Sequence, residues 1–156
     1  MNRTILALDI GTSCGWACQR RSGSIESGRV QLPKGEREGV RVHAFRNFLA
    51  DVLTRAGDID FVAWEHAFHQ LGEANQVHHR LVGVLLDFCE RNRIGYLSVP
   101  TSTLKKFATG SGRADKLAMI EAARRAGFNV ASHDEADALH VLRLVLARGL
   151  IEKDAA

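Results

Sequence analysis

The chain has 156 residues, 46% of them hydrophobic and only two of them proline, which is enough to bury one sheet between helices and excludes low-complexity tracts and solenoid repeats. A net charge of +3 and a pI near 9.0 admit a polyanionic partner without establishing one, although Lys and Arg pair at Arg20-Arg21, Lys105-Lys106 and Arg124-Arg125. Cys14, Cys18 and Cys89 are odd in number and form no Cys-x-x-Cys pair, which points to a reduced, intracellular setting.

In chain order, Ile5 to Ile10 is a continuous β-prone run. Asp9 interrupts the N-terminal apolar stretch too early for a signal peptide, and no run approaches the ~18 apolar residues of a membrane span. A cytoplasmic protein with no membrane association is therefore expected. Gly15 to Arg21 and Ser24 to Leu32 read as two further strands joined through Arg21-Ser22-Gly23, making an antiparallel meander. From Glu36 to Ala56 the apolar residues Phe45, Phe48, Leu49, Val52 and Leu53 recur at helical spacing, and Gly57 ends the helix.

Asp58 to Glu65 returns to strand, with Ile59, Phe61, Ala63 and Glu65 on one face and Val62 and Trp64 on the other. The spacing predicts a long helix over Glu73 to Asn92, then a short strand from Ile94 to Val99. Pro100-Thr101-Ser102 caps a short helix through Phe107, a loop carrying Gly110, Ser111 and Gly112 follows, and helices run from about Arg113 to Ala126 and from His133-Asp134 to Gly149. The order β-β-β-α-β-α-β-α-α-α predicts an α/β fold: a five-stranded mixed sheet, three strands in a meander and two parallel, flanked by helices. One domain over 1–150 and a frayed tail over 151–156 are expected.

Four acids stand out. Asp9 and Glu65 each end an apolar strand face, and Asp134 and Asp137 lie three apart on the last helix, projecting from one side. Asp134 also fits a helix cap in the first turn, whereas Asp137 falls beside the buried stripe, where an unpaired acid is costly. Converging oxygen ligands of this kind select Mg²⁺ or Mn²⁺ over zinc, and a carboxylate cage can hold two ions for phosphodiester chemistry.

The pattern Ile-Leu-Ala-Leu-Asp9-Ile-Gly11, then Glu65-His66-Ala67-Phe68, then Asp134-Glu135-Ala136-Asp137-Ala138-Leu139 resembles the RuvC family of Holliday junction resolvases, which adopt the RNase H-like fold. The resemblance covers nearly the whole chain. It implies that Asp9, Glu65, Asp134 and Asp137 bind two catalytic Mg²⁺ ions, with Mn²⁺ as a substitute. The segment Lys105-x4-Gly110-x-Gly112-x3-Lys116 resembles the family's stretch before its penultimate helix, where two lysines serve DNA binding or catalysis. Lys116 is thereby implied as catalytic, and Lys105, Lys106, Gly110, Gly112 and Arg113 as DNA contacts. Read without the resemblance, the Gly-x-Gly is more simply a flexible loop before a helix with exposed lysines, and it is the spacing relative to the acids that favours the other reading.

Phe68 matches an aromatic that family members set against unstacked junction bases, and it also fits ordinary burial under a loop. The histidines at 66, 69, 78, 79 and 133 match no closed zinc set, and adjacent His78 and His79 diverge on a helix. His133 is a secondary candidate as a ligand or proton shuttle beside Asp134. The resemblance implies a homodimeric, structure-selective endodeoxyribonuclease of DNA recombination and repair. It would resolve four-way or other branched DNA by paired symmetric nicks that leave 5′-phosphate and 3′-hydroxyl ends. The apolar excess at Leu81, Val82, Leu85 and Leu86 offers a dimer contact, and the short chain with divergent loops is compatible with a bacteriophage relative.

Two rivals share the first motif. Asp9-Ile10-Gly11-Thr12 also looks like the phosphate turn of sugar kinases and actin-like ATPases, but no second Asp-x-Gly or adenosine motif follows. A YqgF-like nuclease acting on RNA has a similar first strand, and the Asp-x-x-Asp-Ala-Leu ending and paired lysines favour the RuvC reading. A binding module without catalysis is disfavoured by four acids placed where phosphates would approach.

Overall fold

The computed structural model describes residues 2–35, 37–66 and 72–149. β1 (Ile5–Asp9), β2 (Ser13–Gln19) and β3 (Ile25–Gln31) form the meander; α1 (Glu38–Ala56) leads to β4 (Phe61–His66), and α2 (Glu73–Asn92) crosses to β5 (Gly95–Pro100). The described chain ends with α3 (Thr101–Thr109), α4 (Lys116–Arg125) and α5 (His133–Arg148). The sheet order is β3-β2-β1-β4-β5, antiparallel through β1, with β4 parallel to both β1 and β5. This is the mixed sheet expected from the order of elements.

Boundaries move for identifiable reasons. β2 begins at Ser13 rather than Gly15, because Ser13 pairs with Gln31 and Gly15 with Asp9. β4 begins at Phe61 rather than Asp58, since Asp58 and Asp60 both engage the Arg21 guanidinium, at 2.6 and 2.9 Å. Ile59 consequently packs with Val62 and Trp64 rather than on the Phe61 face. α4 starts at Lys116, not Arg113: the Asp115 carboxylate accepts from the Ala118 N–H at 2.8 Å and fixes the cap. Pro100 precedes α3 without any side-chain cap, contrary to the Pro100-Thr101-Ser102 expectation, and the helix continues to Thr109.

The period-2 alternation of the strands divides the core in two. Ile5, Ala7, Phe61 and Ala63 face α5, whose Leu139, Leu142 and Val145 are fully buried against them together with Leu104 of α3 and Met119 of α4. On the other face Leu6, Leu8, Val62 and Trp64 meet Phe45 and Leu49 of α1 and Leu81 and Leu85 of α2. Burial on both sides explains why β1 reads as an unbroken apolar run. On α2, Val82 and Leu86 are half-buried beside this same cluster, so the apolar excess read as a dimer contact is drawn largely into the chain's own core. No helix among the described residues is long and apolar enough to cross a membrane.

Candidate active site

Alternation along β1 and β4 sends Asp9 and Glu65 to the α5 face, each two residues beyond a buried alanine, Ala7 or Ala63. The parallel register sets Ile5 opposite Phe61 and Ala7 opposite Ala63, so one further step sets Asp9 opposite Glu65. α5 completes the set from above. Its N-cap is Ser132, whose hydroxyl accepts from the Glu135 N–H at 3.2 Å. Asp134 is therefore not the cap, and its carboxylate is left to point elsewhere. Buried Glu135 ties the same turn to the sheet, accepting from Ser27 Oγ at 2.7 Å and from the Ala131 N–H at 3.0 Å.

How close α5 comes depends on Gly15. A Cβ at this position would overlap the Asp134 carbonyl and the Glu135 nitrogen, so only glycine lets the first turn of α5 lie directly on β2. Because Gly15 pairs with Asp9, this contact also brings Asp134 beside Asp9, within hydrogen-bonding reach of its carboxyl.

The carboxylates of Asp9, Glu65 and Asp137 have ligand oxygens all within 4.8 Å of one another. Asp134 stands at the side of this trio, receiving a 2.6 Å hydrogen bond from Ser13 Oγ and a 3.0 Å contact from His133 Nε2. Arg29 Nη1 in turn donates to Ser13 Oγ at 3.2 Å. Asp137 Oδ1 is buried without a hydrogen-bond partner. Burial and the neighbouring charges of Glu65 and Asp134 push the Asp137 carboxyl up to about 8, against the opposing pull of Lys105 and Lys116. Burial, then the charges of Glu65, Asp137 and Asp134, raise Asp9 well above the usual carboxylate range. Glu65 is raised by burial and partly relieved by a hydrogen bond that its carboxylate accepts from Thr101 and by the charge of Lys105. Like charges held this close in a partly dry site call for a cation between them. An orphaned buried oxygen within a hard-oxygen donor set fits a divalent metal.

These residues line one cavity of about 740 Å³, with Lys105, Gly112 and Lys116 on its α3–α4 side and His133, Asp134 and Asp137 on its α5 side. Lys116 opens α4, whose first turn has no acidic residue; a cation there opposes the helix macrodipole and gains from an anionic neighbour. Lys106, Gly110 and Arg113 are exposed and do not line the cavity. Gly110 has a sufficient local reason to be glycine: φ is 86° and its N–H closes α3 on the Lys106 carbonyl at 2.8 Å. Phe68 and His69 fall outside the described residues. Sequence reasoning missed Ser13, Thr101 and Gly15. Gly15, a glycine inside a strand, carried a readable sign of close backbone approach.

No protein-family model and no curated protein matches the chain. Solved structures do. Thermus thermophilus RuvC in complex with a Holliday junction substrate matches with a TM-score of 0.77 over 96% of this chain and 98% of its own, at 19% sequence identity. A second Thermus thermophilus RuvC structure gives 0.73 over 94% and 96%, also at 19% identity. Over nearly its whole length, the chain has the RNase H-like fold of these RuvC structures.

Proposed function

We propose that the chain is a metal-dependent, structure-selective endodeoxyribonuclease that resolves four-way DNA junctions by paired symmetric nicks, leaving 5′-phosphate and 3′-hydroxyl ends. The observation that carries this reading is the Asp9, Glu65 and Asp137 cluster, with ligand oxygens within 4.8 Å and one buried oxygen unpaired. It lies in a cavity of the fold that Thermus thermophilus RuvC, itself solved on a Holliday junction, shares over 96% of this chain. Asp9, Glu65, Asp134 and Asp137 would hold two Mg²⁺ ions, or Mn²⁺ in their place. Metal bound there supplies an activated water for in-line attack and charge stabilisation for the leaving oxygen.

The chain's own groups do the rest. Lys105 and Lys116 flank the acids from the opposite wall and neutralise the phosphate that the acids would repel, Lys116 with the start of α4 beside it. Lys106, Gly110, Gly112 and Arg113 extend this basic segment along the DNA backbone. Phe68 keeps its role against unstacked bases as an expectation from sequence. Two cuts on opposing strands require two sites, so the working unit is a twofold homodimer acting in the cytoplasm on recombination and repair intermediates.

Ser13 positions Asp134 through its 2.6 Å hydrogen bond. Losing a charge-assisted bond of ~1.5–3 kcal/mol predicts a roughly 10- to 100-fold slower nicking rate for Ser13→Ala. Ser13→Thr, which keeps the hydroxyl, should retain most of the rate in single-turnover assays. Equal rates for Ser13→Ala and wild type would remove Ser13 from the site. Substrate choice is read from end-labelled four-way junction, flap, linear duplex and RNA–DNA hybrid at matched concentration in Mg²⁺. Preferential, paired nicking of the junction is expected, whereas preference for the hybrid would replace the resolvase reading with an RNase H-like one.

A further inference from the structure

His140 is a fully buried imidazole on α5, one turn beyond Asp137, and does not line the cavity of the acids. Its Nε2 lies 2.9 Å from the Met119 carbonyl oxygen on α4. A carbonyl only accepts, so Nε2 carries the hydrogen and Nδ1 is left as an acceptor. Arg143 Nη1 donates to that nitrogen at 2.9 Å. Burial, with the Arg143 charge beside it, lowers the pKa and keeps the ring neutral, as this pattern requires. The Arg143 guanidinium lies in turn over the Phe107 ring of α3, 5.5 Å from its centroid. One buried ring thus ties α5 to α4 directly and to α3 through Arg143.

Both ties end close to the lysines that face the acids. Met119 lines the cavity one turn after Lys116, and Phe107 follows Lys105 by two residues. Lys105 and Lys116 are near enough for their charges to pull the Asp137 carboxyl down against burial. The rest of the contact is apolar, with Met119 and Ala123 of α4 and Leu104 of α3 sharing one core with Leu139 and Leu142 of α5. Apolar burial holds helices together without direction. It leaves them able to slide, and one residue of slide along a helix is about 1.5 Å. A hydrogen bond, with its narrow range of length and angle, resists that motion.

We propose that His140 is a positioning residue for strand cleavage: with Arg143 it fixes the register of α4 and α3 on α5, and so holds Lys116 and Lys105 at their working distance from Asp137. This rests on the nuclease reading of the cavity. None of the four acids stands on α3 or α4, so metal binding does not depend on the tie. The rate of cutting does, because a misplacement of ~1 Å costs up to about a hundredfold.

The test is single-turnover nicking of a labelled four-way junction in saturating Mg²⁺. His140→Leu fills the space without hydrogen bonds, and His140→Gln keeps an amide that can donate to the Met119 carbonyl; each is measured alone and combined with Lys116→Ala. His140→Leu is expected to cut at least about tenfold slower, with the Mg²⁺ midpoint and junction affinity within about twofold of wild type, and His140→Gln to recover most of the rate. Lys116→Ala should cost at least about threefold less in His140→Leu than in wild type, because the lysine is already out of place. Arg143→Met, at a half-buried position, should slow cutting in the same direction and separates register from folding. Full rate in His140→Leu, losses that simply multiply with Lys116→Ala, or a rate that falls together with Mg²⁺ affinity would overturn the proposal. A wild type that cuts no junction would instead remove the nuclease reading, and this proposal with it.

Discussion

Metal-free Asp137→Asn protein is expected to melt on the order of 10 °C above wild type at pH 8, and the gap should close towards pH 4. The cause is the Asp137 carboxyl, raised to about 8 first by burial and then by Glu65 and Asp134. The folded state holds this proton more tightly than the unfolded chain. Its stabilising contribution is therefore complete below the unfolded value of 3.8 and is lost progressively, at up to about 1.4 kcal/mol per pH unit, until pH has risen through about 8. Asparagine has no such penalty, and each kcal/mol recovered is worth ~2–4 °C in a chain of this size. Mg²⁺ should raise the wild-type melting temperature at pH 8 and leave the variant nearly unmoved. The same substitution should slow junction nicking by about a thousandfold or more, since several kcal/mol of transition-state stabilisation are lost with a ligand. Thermal melts across pH check the first half. A gap that does not change between pH 4 and pH 8 would mean that burial and the neighbouring acids do not raise the Asp137 carboxyl.

Gly15→Ala is expected to damage the site from outside the ligand set. The new methyl would collide with the backbone of Asp134 and Glu135, which cannot yield by rotating a side chain. α5 would have to lift from β2, breaking the Ser27–Glu135 and Ser13–Asp134 hydrogen bonds that locate its first turn. Overpacking of this kind costs about 3 kcal/mol or more, so a fall of at least about 6 °C in melting temperature is expected, with a greatly reduced nicking rate. Melting and activity close to wild type would show that α5 can approach the sheet without glycine at this position.

Much of this site was legible because local rules point to it. Period-2 alternation put Asp9 and Glu65 on one face of their strands, and the three-residue spacing of Asp134 and Asp137 put both on one side of a helix. Their convergence needed only parallel pairing of β1 with β4 and a helix packed across the strand ends. What could not be read depends on register and on contacts distant in sequence. Ser13 reaches Asp134 across more than a hundred residues, and nothing local assigns its hydroxyl to a carboxylate rather than to a turn. Asp134 read equally well as a cap until Ser132 took that position. Gly110 shows the opposite case: a glycine matched to a DNA-binding segment is also required by the left-handed close of α3.

In the proposed function Asp9, Glu65 and Asp137, joined by Asp134, hold the metal that drives strand cleavage. Its most direct measurement is nicking of an end-labelled four-way junction by wild-type and Asp9→Asn protein, each in Mg²⁺ and in chelator, with junction binding followed on the same samples. Paired nicks are expected for wild type in Mg²⁺ alone, none with chelator, and none for Asp9→Asn even where it still binds the junction. Cleavage by Asp9→Asn, or cleavage that survives chelation, would contradict it.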